Sequence, residues 1–432
     1  VKTKRGNHEG TNRLDHSSGY NSDIVLLDVR DGQGAQRMKW SPQQLKAMDM
    51  VHRWLQGQYS DQQIFRMFGY AGTGKTTLAR HLAEGAGRVV FCTYTGKAAS
   101  VMSAKGSPCS TIHSLIYMPS SRSRLKLLEL QDELEQTHED DPEIEKLKVA
   151  IKDEQEKLKR PSFILNPDSE IQHADLIVVD EVSMVDQWVG RDLESFGVKI
   201  LVLGDPAQLP PVKGSGYFTD VEPDIMLTEI HRQAAGNPII ELATKVRLGE
   251  DLRAGQYGDS RVVDGKPDQE WVMNADQILV GKNLTRRQVN LQMRRLLGRG
   301  EDLLPSTGDK VVCLRNDREM GLLNGTLWEV TDTELVDGME LMSLSVQADG
   351  NVVTVTAHTH YFKGIEDQLA YYEIREAQCF DFGYALTVHK SQGSQWPDVF
   401  IFDESQIFRQ HATRWLYTAV TRAVDKVIIC RK

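Results

Sequence analysis

Ile64-Phe65-Arg66-Met67-Phe68-Gly69-Tyr70-Ala71-Gly72-Thr73-Gly74-Lys75-Thr76-Thr77 is the stretch on which the fold turns. The largely apolar run 64–68 predicts a buried strand, the next eight residues satisfy G-x-x-x-x-G-K-[ST], and Thr77-Leu78-Ala79-Arg80-His81-Leu82 continues at helical spacing. Strand, glycine-rich turn and helix open a parallel α/β sheet. At average amino-acid usage the eight-residue pattern arises by chance on the order of 0.01 times in a chain of this length. It is therefore read as chemistry. Gly69, Gly72 and Gly74 let the backbone around Thr73 curl, so that N–H groups up to Thr77 face the phosphates of a nucleotide. Lys75 supplies a point charge to those phosphates, and the Thr76 hydroxyl suits Mg²⁺.

Working outward, residues 176–181 form an apolar strand that ends in Asp180 and Glu181. Downstream of a phosphate loop, Asp180 is the expected metal residue and Glu181 the candidate general base. Val202-Leu203-Gly204-Asp205-Pro206-Ala207-Gln208-Leu209-Pro210-Pro211 is a strand running into a rigid turn that could carry Gln208 to the γ-phosphate. Further short apolar runs at 89–93 and 199–203, each followed by turns and helical stretches, extend the parallel pattern.

The 432 residues exceed the usual span of one core, so two or more packed units are expected. Hydrophobic residues at 40% and charged residues at 26% match soluble proteins, and no apolar run is long enough to span a bilayer. Residues 1–38 are polar and aperiodic without a secretory h-region, which reads as a disordered tail on a cytoplasmic protein. The net charge of −10 argues against a general polyanion binder but leaves local phosphate contacts open. The scattered Cys92, Cys109, Cys313, Cys379 and Cys430 read as reduced, mostly buried thiols.

Two stretches depart from the α/β alternation. Between about 120 and 160, Leu127, Leu130 and Leu134, then Ile144, Leu147 and Ile151, recur at helical spacing around Asp140-Asp141-Pro142, predicting an antiparallel helical hairpin. Between 304 and 378, short strands separated by Asn-Gly and Asp-Gly turns predict a small antiparallel barrel inserted in a second α/β unit that begins near Ile225.

The ordered motifs resemble superfamily 1 helicases, closest to the B-type branch of RecD-, Dda- and Pif-like enzymes. After the phosphate loop come Thr93-Tyr94-Thr95-Gly96-Lys97-Ala98-Ala99, Thr111-Ile112-His113-Ser114, Asp180-Glu181-Val182-Ser183-Met184 and Leu227-Thr228-Glu229-Ile230-His231-Arg232-Gln233. Leu386-Thr387-Val388-His389-Lys390-Ser391-Gln392-Gly393 and Trp415-Leu416-Tyr417-Thr418-Ala419-Val420-Thr421-Arg422 complete the set. The resemblance implies two RecA-like parallel-sheet domains, 39–222 with a helical insert at 120–160 and 223–432 with an SH3-like β-barrel insert at 304–378.

It further implies ATP and Mg²⁺ as cofactors, Arg232 and Arg422 reaching the γ-phosphate from across the cleft, and Gln44 or its neighbour Gln43 reading adenine. Thr95, His113, Thr387 and His389 are the implied strand contacts, while Trp396 is open between base stacking and packing. The implied activity is 5′-to-3′ movement on single-stranded DNA and separation of forked or tailed duplexes, in a bacterium or phage-infected cell, with replication or recombination proteins as partners and no membrane. An RNA or RNA–DNA helicase and a nucleotide-gated binding or loading module are the alternatives. One departure stands out: where Dda-like enzymes carry a short β-hairpin pin, this chain has the charged helical segment, leaving the strand-splitting element unassigned.

Overall fold

The computed structural model describes residues 39–59, 62–119, 122–137, 143–158, 163–211, 214–230, 236–300, 302–317, 319–336, 340–369, 371–375 and 377–431. The expected tail at 1–38, the turn at 140–142 and Arg232 lie outside the described residues.

The first unit starts with α1 (Pro42–Leu55), which Ser41 and Gln44 open as a reciprocal capping box with Pro42 in the first turn. There follow β1 (Ile64–Gly69), α2 (Lys75–Ala83), β2 (Val89–Thr93), α3 (Gly96–Ala104), β3 (Cys109–Thr111) and α4 (Ile112–Ile116). The chain then leaves the sheet through β4 (Tyr117–Pro119), α5 (Arg122–Gln136), α6 (Glu143–Leu158) and β5 (Phe163–Leu165). It returns as β6 (Leu176–Asp180), α7 (Gln187–Glu194), β7 (Lys199–Gly204) and β8 (Ile225–Leu227). The sheet order is β3-β2-β6-β7-β1-β8, and every pairing is parallel.

Period-two geometry explains why β6 and β7 read as unbroken apolar runs. Ile177, Val179, Ile200 and Val202 enter the core on one face of the sheet, and Leu176, Val178, Leu201 and Leu203 enter the core on the other. The strand Ile225–Leu227 corrects the expected boundary at 222/223, because it pairs with β1 and completes the first sheet.

In the arm, α5 and α6 pack together, with Leu147 and Ile151 buried. The sequence did not foretell its base, an antiparallel ribbon of β4 and β5 with Pro119 opposite Phe163. The place expected to hold helices in lieu of a hairpin thus holds both.

The second unit contains α8 (Pro238–Arg247), β9 (Gly255–Tyr257), β10 (Ser260–Asp264), α9 (Gln269–Met273), β11 (Gln277–Val280) and α10 (Asn283–Leu296). The insert follows as β12 (Lys310–Cys313), β13 (Leu327–Val336), β14 (Leu341–Ala348), β15 (Asn351–His358), α11 (His360–Lys363), α12 (Tyr371–Ile374) and β16 (Phe380–Phe382). Then come β17 (Ala385–Thr387), α13 (Val388–Ser391), β18 (Trp396–Phe402), α14 (Ala412–Val420) and β19 (Ala423–Arg431). The main sheet, β17-β11-β18-β19-β10-β9, is parallel except for the β9–β10 hairpin. Two parallel sheets are what the RecA-like expectation requires.

The insert is an antiparallel sheet, β15-β14-β13-β12-β16, whose edges approach at a bridge between Ala357 and Gln378. Its last strand lies beyond residue 378, so the insert runs further than the sequence suggested. Buried ion pairs fix it to α10: Arg286 with Asp381, and Arg294 Nε with both oxygens of Asp309 at 3.1 and 3.0 Å. Breaking such a pair from one side leaves an uncompensated buried charge, so this junction is stiff.

Candidate active site and adjoining groove

The phosphate loop joins β1 to α2, with Gly72 and Gly74 at φ 79° and 77°, a left-handed conformation that glycine adopts without steric cost. Gly69 is required for another reason, since a Cβ there would meet Thr73 Oγ1 at 2.6 Å and Leu227 O at 2.9 Å. Gly74 caps α2 without a side-chain hydrogen bond, which leaves the first-turn N–H groups to an anion. Lys75 Nζ donates to Gly69 O at 2.6 Å and Tyr70 O at 3.1 Å, holding its charge over the loop. Thr77 and Gly72 are exposed at the mouth, whereas Thr73 is buried with its hydroxyl on Tyr70 O.

The Thr76 hydroxyl donates to Asp180 Oδ2 at 2.6 Å. Burial and the Glu181 charge push the Asp180 carboxyl up, against the Thr76 hydrogen bond and Lys75. Among the described residues no cluster of three or more His, Cys, Asp or Glu side chains could hold a metal. A hydroxyl and one carboxylate beside an uncapped helix end do suit Mg²⁺ that takes its remaining ligands from phosphate and water. Glu181 follows in a left-handed conformation, φ 54°, and donates its own N–H to Asp180 Oδ1.

Gln44 is 3% exposed, with its amide bonded to Ser41 N and Thr73 O, so it buttresses the loop. Gln43 instead holds the Thr228–Glu229 backbone, the segment leading to Arg232.

The second unit grips this site through α14. Tyr417 Oη donates to Asp205 Oδ2 at 2.7 Å and accepts from Ala71 N at 2.9 Å, and Thr418 Oγ1 accepts from Leu209 N at 2.9 Å. Gln208, between Asp205 and Leu209, is 7% exposed, and its Oε1 is buried without a hydrogen-bond partner. Arg422 is 3% exposed, donating to Thr418 O, Ser394 O and Thr421 Oγ1. The sequence placed it over the γ-phosphate; here its planar fork is committed inside its own unit.

A groove of about 340 Å³ lies where both units and the insert meet, lined by Thr95, His113 and His389 and also by Lys390, Asn316 and Asn324. Thr387, the fourth expected strand contact, is not among the lining residues; it caps α13, as Thr95 caps α3. Capping uses each hydroxyl as an acceptor, which leaves its O–H to donate to a phosphate. Gly393, from the second unit, comes so close that a Cβ would sit 2.5 Å from Thr95 Oγ1. Burial lowers the His113 and His389 pKa values, so both rings favour the neutral form. Trp396 is buried in the second unit's core, which decides for packing. Lys390, Asn316 and Asn324 were missed: only the first lies in a recognisable motif, and the other two reach the groove through the insert's tertiary placement.

A family model described as "AAA domain" matches residues 40–267. The chain belongs to that AAA-domain family. A second model, the UvrD-like helicase C-terminal domain, matches residues 382–430 of this AAA-domain protein. The resemblance to superfamily 1 helicases of the RecD and Pif type stands on these matches and on the curated relatives.

The "ATP-dependent RecD2 DNA helicase" of Deinococcus radiodurans is 32% identical over 282 residues, 58% of this chain and 36% of that protein. The "Conjugal transfer protein TraA" of Rhizobium radiobacter is 28% identical over 57% of this chain and 24% of its own length. The chain thus spans about a third and a quarter of these two relatives. A solved structure of two coordinating Pif1 helicases at forked double-stranded DNA is 18% identical with a TM-score of 0.49, covering 90% of this chain and 92% of that one.

Proposed function

We propose that this protein is an Mg²⁺-dependent ATPase that moves 5′ to 3′ along single-stranded DNA and separates forked or tailed duplexes. The observation that carries this reading is the bonding of α14 to the phosphate loop and to the Gln208 turn, in a unit whose α13 lines the groove. A nucleotide site and a strand groove that share moving parts can exchange work. The relative named as a DNA helicase and the motif resemblance support the substrate and the direction of movement.

ATP bound here would supply the phosphoanhydride whose cleavage drives the motion. The residues' own tasks follow from their chemistry. The N–H groups of 72–77 and Lys75 bind phosphate, while Thr76 and Asp180 orient the cation. Glu181 takes a proton from the attacking water, Gln208 aligns it, and Arg232 and Arg422 neutralise charge on the transferring group once the units close. In this reading Gln44 sets the adenine end, and Thr95, His113, Thr387 and His389 hold sugar and phosphate without reading bases. Replication or recombination proteins are the partners that such an activity would serve.

The test is unwinding of duplexes carrying only a 5′ or only a 3′ single-stranded tail, with ATP and Mg²⁺. Opening of the 5′-tailed substrate alone is expected. Unwinding from the 3′ tail would reverse the polarity, and stimulation of ATPase by single-stranded RNA above that by DNA would favour the RNA reading.

A further inference from the structure

The Asp205–Leu209 turn is held at both ends by groups from the other unit. At one end the buried Tyr417 hydroxyl, on α14, bonds Asp205 Oδ2 and the phosphate-loop N–H of Ala71 at once. At the other, Leu209 N donates to Thr418 Oγ1, and Leu209 O accepts from Gln392 Nε2 at 3.1 Å. Gln392 lines the groove. Between these clamps sits Gln208, its Oε1 buried with nothing bonded to it.

A buried acceptor without a partner is costly unless a ligand or water completes it, so the turn is held in a shape whose last bond is external. The Tyr417 proton is secure, since burial and the Asp205 charge push its pKa far up. It remains a donor to Asp205 at any working pH.

We infer that the hydroxyls of Tyr417 and Thr418 are positioning groups that set Gln208 for hydrolysis and tie its placement to occupancy of the groove, with Gln392 as the link. This rests on the motor reading above and adds the route by which the strand regulates turnover. A strand pressing on the Gln392 segment shifts Leu209, and Gln208 moves with it; the Tyr417 bridge keeps Asp205 and the phosphate loop in register meanwhile. Neither hydroxyl is asked to touch nucleotide, so their loss should reduce the rate and spare binding.

The experiment is steady-state ATPase of the full chain with and without oligo(dT), comparing Tyr417→Phe and Thr418→Val with wild type. Tyr384→Phe is the control, because its hydroxyl makes an equivalent buried bond to Asp309 Oδ1 at 2.9 Å within the insert junction. Melting temperature is read for each variant.

Losing one hydroxyl–carboxylate bond should lower stimulated kcat by about tenfold in Tyr417→Phe. Thr418→Val should follow in the same direction, with KM for ATP within about threefold of wild type in both. Tyr384→Phe should lose melting temperature but keep stimulated kcat within about twofold. Stimulated kcat near wild type in Tyr417→Phe, or a loss matched by Tyr384→Phe at the same melting temperature, overturns the inference. A wild-type ATPase indifferent to oligo(dT) overturns the motor reading instead, and the kcat and KM comparison on the unstimulated rate then decides whether the hydroxyls position Gln208.

Discussion

The Thr76 hydroxyl donates to Asp180 Oδ2 across 2.6 Å, joining the first turn of α2 to the end of β6. Because burial and Glu181 raise the Asp180 pKa above its usual 3.8, ionising it costs the fold something when no cation shares the site. The stability contributed by its proton is complete below the unfolded value and is lost as pH rises through the raised folded value. Asp180→Asn should therefore melt at a higher temperature than wild type at pH 7 without nucleotide, while losing about a hundredfold or more of Mg²⁺-dependent ATPase. Calorimetry and a Mg²⁺ titration check the two halves. A lower melting temperature for the Asn variant would contradict the electrostatics.

Lys75 and Glu181 should separate binding from turnover. Lys75→Ala removes a cation that lies over the Gly69 and Tyr70 carbonyls, so nucleotide affinity and hydrolysis should both fall. Glu181→Gln keeps the shape at φ 54° and loses the proton acceptor, so affinity should survive while kcat drops by about a hundredfold or more. Fluorescent nucleotide titration beside steady-state rates distinguishes them; equal loss of affinity in both variants would remove Glu181 from the base role.

How far the sequence could speak is seen in which signals were local. The phosphate loop, the β6 acids and the two-faced apolar strands are encoded within a few residues, and the structure places the Thr76 hydroxyl on Asp180. Ile225–Leu227 reads from sequence as the start of the second unit because three residues carry no period, and only pairing with β1 fixes their sheet. The β4–β5 ribbon is equally short and is defined by partners nearly fifty positions apart. Tyr417 and Asn316 lie in segments whose fold is legible, but their bonds cross between units or elements, and a contact of that kind leaves no mark on neighbouring residues.

Lys390 lines the groove from α13 with its side chain exposed, yet the protein packed around its ammonium, helped by nearby Arg286, pushes the pKa down to about 8. Its charge is largely present at pH 7 and is lost as pH rises through that value. Affinity for oligo(dT) should therefore weaken between about pH 7 and pH 9, with the slope against salt becoming shallower by about one phosphate contact. Lys390→Arg should flatten the pH dependence, since guanidinium keeps its proton. An unchanged pH profile in the arginine variant would take Lys390 out of the strand contact.

Arg422 bonds through three guanidinium nitrogens to Thr418 O, Ser394 O and Thr421 Oγ1. Arg422→Ala would strand buried carbonyls, so its melting temperature should fall along with its rate. Arg422→Lys keeps charge without the fork and is the sharper probe: stimulated kcat should drop at least about tenfold with oligo(dT) affinity retained. Near-normal kcat in the lysine variant would mean that this side chain stays in its own unit throughout the cycle.

The helical arm can be tested cleanly because Pro119 sits opposite Phe163 in the ribbon, so a short Gly/Ser linker in place of residues 121–160 can close β4 onto β5 as a plain hairpin. The segment carries acidic residues including Glu133, Glu135, Glu139, Asp140 and Asp141, which would repel a phosphate backbone, so a mechanical or partner-binding role suits it better than gripping the strand. Lys75, Asp180, Glu181, Gln208 and Arg422 all lie outside it. Strand-stimulated ATPase should stay within about twofold of wild type, while unwinding of a forked duplex falls by about tenfold if the arm is the wedge. Both activities are measured on one preparation. Loss of ATPase in a folded variant would mean that the arm supports the catalytic core. Unchanged unwinding would move the wedge elsewhere, with Met118, Phe163 and Ile164 of the ribbon next to test because they stand 39%, 49% and 45% exposed, and would leave partner binding as the arm's role.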